Sequence, residues 1–495
     1  MAVKVDTQKE IIFGSSDPNV SRVLSQKEKD GELRKLAPRI YTTNLIDSPA
    51  NIVRRNLIEI LAYRYPNALI SHRSAKEMRP TSTGNFFLTN STTRRVTDLP
   101  GIILNFVKGP TATANDTPFM GMHISGEHRY MLENMQLSRK SGDESRVLPI
   151  AVIENKLEQL LLTGGEERLN QYRDELREVA NELSMTDEFS KINNIISALL
   201  STHDAKVLST DSAKARAAGN PFDATRVELF EILFDTIKDR YFVIRNNRNT
   251  DEDSFRLFSF FESYFSNYIE GTEFDIEEAK EIVDSGIPMP RRDEDSHDIL
   301  GTFKILSNRS EMMRVPTSPE ELLTILSHRH TILLEGRPHM NPGVLKTRNN
   351  RAGQTEFVNY QLVKGTLSQG FKYYSALTDP FARAIFMMFM ISEVHPFNDG
   401  NGRIARVMMN AEFVRADQSR IIVPTVFRED YILALRKLTR HKDPMAYINV
   451  MTKLHQFSDN LYGTDFTQLK DYLAACNAYE EPSQAKLQII DRTFL

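Results

Sequence analysis

Two rhythms of apolar and polar positions divide the chain. Up to about residue 150 the apolar residues come in short bursts between turn-forming stretches, and beyond it they recur at helical spacing over long runs. The bursts predict an α+β region: Asn51–Tyr63 has helical spacing, Gly84–Thr89 reads as a strand, and Leu33–Thr43 reads as a short helix or turn running into a strand. The later runs predict helices at Ile153–Leu162, Arg168–Leu183, Ala224–Tyr241, Phe255–Phe265, Ser296–Leu306 and Ser318–Glu335. Further helices are predicted at Ser368–Leu377, Phe381–Val394, Gly402–Arg415 and Arg428–Leu438. Phe381–Val394 is apolar almost throughout and should be buried, ending where Pro396 disfavours helix in the residue before it. The turn-rich Ser209–Pro221 marks a boundary. The expected architecture is mainly α, with an α+β domain over 1–150, a helical connector over 151–215, a helical region over 216–290, a helical core over 291–461 and a tail over 462–495.

Composition narrows the setting. With 495 residues the chain exceeds one ordinary core, and its 40% hydrophobic and 26% charged residues suit a water-facing surface. A net charge of −4 gives no general attraction to nucleic acid or anionic membrane. The single cysteine, Cys476, excludes an intramolecular disulfide and a multi-cysteine metal site. Met1–Glu10 lacks the apolar stretch of a signal peptide and no run approaches the ~18 apolar residues of a membrane span, so a cytoplasmic location and no membrane partner are expected.

The densest chemistry lies in His395-Pro-Phe-Asn-Asp399-Gly400-Asn401-Gly402-Arg403-Ile-Ala-Arg406. A glycine-rich loop opening a helix offers unpaired N–H groups beside the positive end of the helix dipole, which suits phosphates. Arg403 and Arg406, three apart, are expected to lean toward one anion, and Asp399 offers a hard oxygen for Mg²⁺. His395, with an ordinary pKa near ~6.5, suits a general base acting on a hydroxyl. Together these parts describe transfer from a magnesium nucleotide to an alcohol.

Position by position, this stretch resembles the signature of the Fic (Fido) family, His-x-Phe-x-Asp/Glu-Gly-Asn-Gly-Arg-x-x-Arg. The resemblance implies a helical Fic-type core with a small β-hairpin flap that aligns the target. It also implies protein adenylylation: His395 deprotonates a Ser, Thr or Tyr hydroxyl of a target protein, which attacks the α-phosphate of ATP. Asp399 would carry Mg²⁺, and Gly400, Asn401, Gly402, Arg403 and Arg406 would hold the phosphates. Gly353 and Gln354 in the flap and Tyr431 beside the adenine complete the implied nucleotide site, with Lys346 standing where many relatives carry arginine. Ahead of the core, Ser266-Asn-Tyr-Ile-Glu270-Gly271 resembles the family's inhibitory motif, which implies that Glu270 pairs with Arg406 and blocks the γ-phosphate position. Thr331-Ile-Leu-Leu-Glu335-Gly336 matches the same pattern.

The N-terminal region, through Leu33–Thr42 and Ala68–Ala75, more loosely resembles AbiEi-type antitoxins and winged-helix regulators. There Arg34, Lys35, Arg39, Arg54, Arg55, Arg64, Arg73, Arg94 and Arg95 would form a DNA-phosphate face. The alternatives are therefore a DNA-binding regulator whose Fic part senses nucleotide, and a Fic enzyme that uses another nucleotide or removes AMP. Whether the lock acts within one chain or across a homodimer stays open.

Overall fold

The computed structural model describes residues 8–492, so the first seven residues of the expected leaderless N-terminus and the last three of the tail lie outside it. Backbone contacts separate two units, dividing between Ala218 and Gly219, inside the turn-rich stretch.

The first unit is α+β. Ile11–Phe13, Ile40–Thr42 and Arg34–Ala37 form a three-stranded antiparallel sheet in that order. Residues 33–43 are thus a hairpin and not a helix. Pro38 cannot donate to a helix, Arg39 takes φ 62° in the tight turn, and Ile40–Thr42 gains a second partner in Ile11–Phe13. A second, six-stranded mixed sheet centres on Asn85–Asn90 and Ile102–Lys108, paired in parallel. The helical pattern over 51–63 is interrupted at Asn56, whose amide donates to Glu10 and back to the Ile52 carbonyl, splitting it into Pro49–Arg55 and Leu57–Arg64. The long helix Ile150–Leu183 kinks at Gly165, where φ is 68°. Its apolar face packs against Thr186–Leu199.

Many of the cations proposed for a DNA face are spent internally. Arg34 donates to the Asp47 carbonyl, Arg55 pairs with Glu10 and Asp47, Arg64 grips Asp98, Arg73 grips Glu77, and Arg94 lies over Phe106. Lys35, Arg39, Arg54 and Arg95 are exposed.

The second unit is helical and built around Pro380–Val394. Its apolar residues run right round the cylinder, so burial on all sides is the only stable placement. Ala224–Ile237 and Val363–Ala376 cover one side, with Phe230 packed edge-on against Phe386 and Phe389. Asn401–Arg415 lies along another, and Arg428–His441 and Pro444–Ser458 close the bundle. His455 is a structural residue, buried between Phe381 and Phe413 with Nε2 on the Ser419 carbonyl.

The helix Glu252–Ile269 is equally embedded, and polar residues tie it in. Ser259 donates to the Leu306 carbonyl, Ser263 to the Ile299 carbonyl and Asn267 to Thr302, all on Asp293–Leu306. Glu262 accepts from Asn410 at 2.7 Å and from Arg420 at 2.9 Å. Burial pushes the Glu262 carboxyl up to about 7, partly offset by Arg420. Gly271, at φ 94°, stops the helix, and its N–H donates to the Tyr268 carbonyl at 3.0 Å. No helix among the described residues is long and apolar enough to cross a membrane.

Candidate active site

The buried helix Pro380–Val394 delivers His395 at its C-terminal cap, in the left-handed conformation at φ 53° and ψ 61°. A non-glycine residue is strained there, and its neighbours hold it. The imidazole stacks on Phe357 at 3.6 Å between centroids, nearly parallel. Its Nδ1 lies 3.3 Å from the Ser392 carbonyl. A carbonyl only accepts, so Nδ1 carries the proton and Nε2 keeps its lone pair. Burial lowers the pKa to about 4, so the ring is neutral at physiological pH.

The loop after His395 is cross-braced. Both groups of the Asn401 amide pair with the backbone of Phe397, accepting at 2.9 Å and donating at 3.0 Å. Asn401 therefore closes the loop with its side chain. Gly400 adopts φ 70° and lies against Leu333 and His330, where a side chain would be both strained and crowded. Its N–H is not free for a ligand, since it donates to Asp399 at 2.7 Å. His330 supports the loop from beneath: Nε2 donates to the Asp399 carbonyl at 3.0 Å, Nδ1 accepts from Gly343 at 2.8 Å, and the ring stacks on Phe397. Burial lowers its pKa to about 4 as well, which fits this neutral tautomer.

The two arginines part company. Arg403 turns to the buried carboxylate of Asp298 at 2.8 Å and to Asn267, because that paired carboxylate is the stronger local partner. Asp298 also takes Arg337 at 2.7 Å. Of the two, only Arg406 faces the cavity. Its Nε donates to Ser266 Oγ at 2.9 Å, and its Nη2 donates to the Ser266 carbonyl at 2.9 Å and to Glu270 at 2.7 Å. Burial opposes ionisation of the Glu270 carboxyl, but Arg406 prevails and holds its pKa below the usual range. Glu270 lies against the first turn of Asn401–Arg415, so close that a Cβ on Gly402 would stand 2.2 Å from its oxygen. The carboxylate thus sits at a helix N-terminus and beside an arginine, both of which favour negative charge.

Glu270, Gly402, Arg406, His395 and Tyr431 line a cavity of about 370 Å³, which also reaches Ile432, Leu435 and Thr439. The hairpin Arg351–Ala352 and Thr355–Glu356 borders it through Ala352, Thr355 and Phe357. Gly353 and Gln354, expected at the nucleotide, form the exposed turn of this hairpin and do not line the cavity, because the two-residue strands point the turn outward. Tyr431 is buried at the wall with its hydroxyl near Met388 Sδ. Glu335, the competing match to the lock pattern, pairs with Lys304 on an exposed surface. Asp399 keeps 39% of its side chain exposed, with one oxygen fixed by Gly400 and the other 3.8 Å from Arg403. A single, oriented, accessible carboxylate fits a magnesium ion that draws its other ligands from phosphate and water.

His330, Asp298, Asn267 and Phe357 complete the site without a signal of their own in the sequence, and Lys346, marked there only as standing in the place of an arginine, joins them. They act by packing and pairing from elements distant in the chain, which no local spacing records.

The Fic/DOC family profile matches residues 318–412. Protein adenylyltransferase fic-1 of Caenorhabditis elegans is 25% identical over 177 residues, covering 35% of this chain and 35% of that protein. Protein adenylyltransferase Fic of Nematostella vectensis is 24% identical over 216 residues, covering 40% of this chain and 47% of that protein. The chain thus spans less than half the length of these curated relatives. Among solved structures, Fic-1 (residues 134–508) from C. elegans aligns with a TM-score of 0.34 and 17% identity, covering 66% of this chain and 92% of that one. With its profile match and its His395–Arg406 loop, this chain carries a Fic/DOC family domain over residues 318–412.

Proposed function

We propose that the protein is an adenylyltransferase that moves AMP from ATP to a hydroxyl of a target protein, and that Glu270 holds it inactive. The observation that carries the reading is His395, its Nδ1 on the Ser392 carbonyl, lining one cavity together with Gly402 and Arg406. Its relatives named as adenylyltransferases support the same chemistry.

In this reading the target hydroxyl loses its proton to Nε2 of His395 as its oxygen bonds to the α-phosphorus, the α–β bridging P–O bond breaks and pyrophosphate leaves. Phe357 and the Ser392 carbonyl fix the imidazole plane, so little reorientation is needed at the moment of reaction. The first-turn N–H groups and Arg406 stabilise charge on the phosphates. Magnesium held by Asp399 would neutralise phosphate charge when bound. Arg403, directed by Asp298, acts from behind the loop on Asp399.

The test is transfer of α-labelled AMP to protein in a lysate. Glu270→Gly should raise labelling by about tenfold or more over the parent, since it frees Arg406 and the helix end. Adding His395→Ala to Glu270→Gly should lower the rate at least about a hundredfold while labelled ATP still binds. Equal labelling by the single and double variants would remove His395 from its role.

A further inference from the structure

Lys346 is a buried cation in an unexpected place. The residue is 3% exposed and, among the described residues, its side chain makes no ion pair. Instead its ammonium donates to Asn350 Oδ1 at 2.7 Å and to the Val394 carbonyl at 3.4 Å. Its own amide donates to the Pro396 carbonyl at 2.9 Å. These two carbonyls flank His395 in sequence. Asn350 extends the grip: its amide donates to the Phe397 carbonyl at 2.9 Å, and its carbonyl accepts from Phe357, the residue that stacks on His395.

We propose that Lys346 is a positioning residue for His395, clasping the backbone on both sides of the imidazole and placing one positive charge behind it so that the ring stays neutral and correctly turned. A hydrophobic residue of similar length would fill the space, and the retained ammonium brings a cost of desolvation that packing alone does not explain. The inference deepens the transferase reading and rests on it for its catalytic meaning.

The cavity that His395 lines also carries Glu393, Arg406, Arg428 and Arg436, and Glu393 pairs with Arg226 at 3.3 Å. Glu270, from the end of Glu252–Ile269, and Asp399, from the loop, face His395 and favour its protonated form, whereas Lys346 opposes it. Arg226, on Ala224–Ile237, faces the ammonium. Burial, then Arg226, lowers the Lys346 pKa to about 7. Below neutrality the ammonium is therefore charged, and its effect is present throughout the range in which His395 takes up its proton.

The experiment is an NMR titration of histidine-labelled full-length protein, with the His395 signal assigned by its loss in His395→Gln. In Lys346→Met the imidazole should titrate higher by roughly half a unit or more, while Lys346→Arg should hold the parent value. A folded Lys346→Met with an unshifted His395 titration would overturn the proposal. Should that variant fail to fold, Asn350→Asp sets a carboxylate against the ammonium with little change of volume and is expected to raise the titration too; no shift there would also overturn it. Alongside, in the Glu270→Gly background, Lys346→Met should lower kcat for AMP transfer at least fivefold with KM for ATP nearly unchanged, and Lys346→Arg should restore it. A shifted titration in a protein that never transfers AMP would uphold the positioning of His395 and refute the transferase reading instead.

Discussion

At the scale of single residues, the site owes more to how side chains are restrained than to which ones are present. Asn401 shows this: nothing in its place in the motif marks it as a loop brace, and its two hydrogen bonds to Phe397 make it one. Asn401→Ala should cost about 1–3 kcal/mol, because the Phe397 N–H and carbonyl lose buried partners. Thermal unfolding should show a drop of several degrees, together with weaker ATP binding as the loop loosens. His395 supports a second prediction. Its pKa near 4 means that a Glu270→Gly enzyme should keep its transfer rate as pH falls from 7 to 5, and lose it only as the base protonates near 4. A decline centred near ~6.5 in the rate profile would show a ring with ordinary hydration.

At the scale of elements, the long helices are legible in the sequence because their apolar positions repeat. The pattern predicts Phe381–Val394 and the helix is Pro380–Val394; it predicts Gly402–Arg415 and the helix is Asn401–Arg415. What spacing does not convey is competition. Arg403 and Arg406 share a helix face, yet Asp298 draws one away, and Asp298 comes from a helix more than a hundred positions earlier in the chain. The hairpin at 34–42 escapes the local pattern for the same reason, since its decisive partner, Ile11–Phe13, lies outside any short window. The helix Glu252–Ile269 gives a prediction of its own. Glu262→Ala would leave Arg420 buried without its carboxylate and should cost about 3–5 kcal/mol. Denaturant unfolding measures that loss, and Glu262→Gln, which still accepts from Arg420, should lose less.

At the scale of the whole molecule, no group of His, Cys, Asp or Glu among the described residues is arranged to hold a metal ion as a cross-link, and Asp399 is a lone carboxylate. Chelation should therefore leave the unfolding temperature unchanged while stopping AMP transfer, and added magnesium should restore transfer. A fall in unfolding temperature on chelation would reveal a structural ion. The division at Ala218 lies within a stretch that the sequence marks by its turn residues, but periodicity does not show that the helices of 151–218 share a unit with the sheets before them.

Glu270 sits one residue before a glycine, at the tip of a helix that the core grips along its length. If Glu270 is the restraint proposed above, an effector would not need to dislodge that helix or reorganise the bundle; swinging the one carboxylate off Arg406 would suffice. Such a restraint would resemble a safety catch, released and re-engaged at the pace of a side-chain rearrangement.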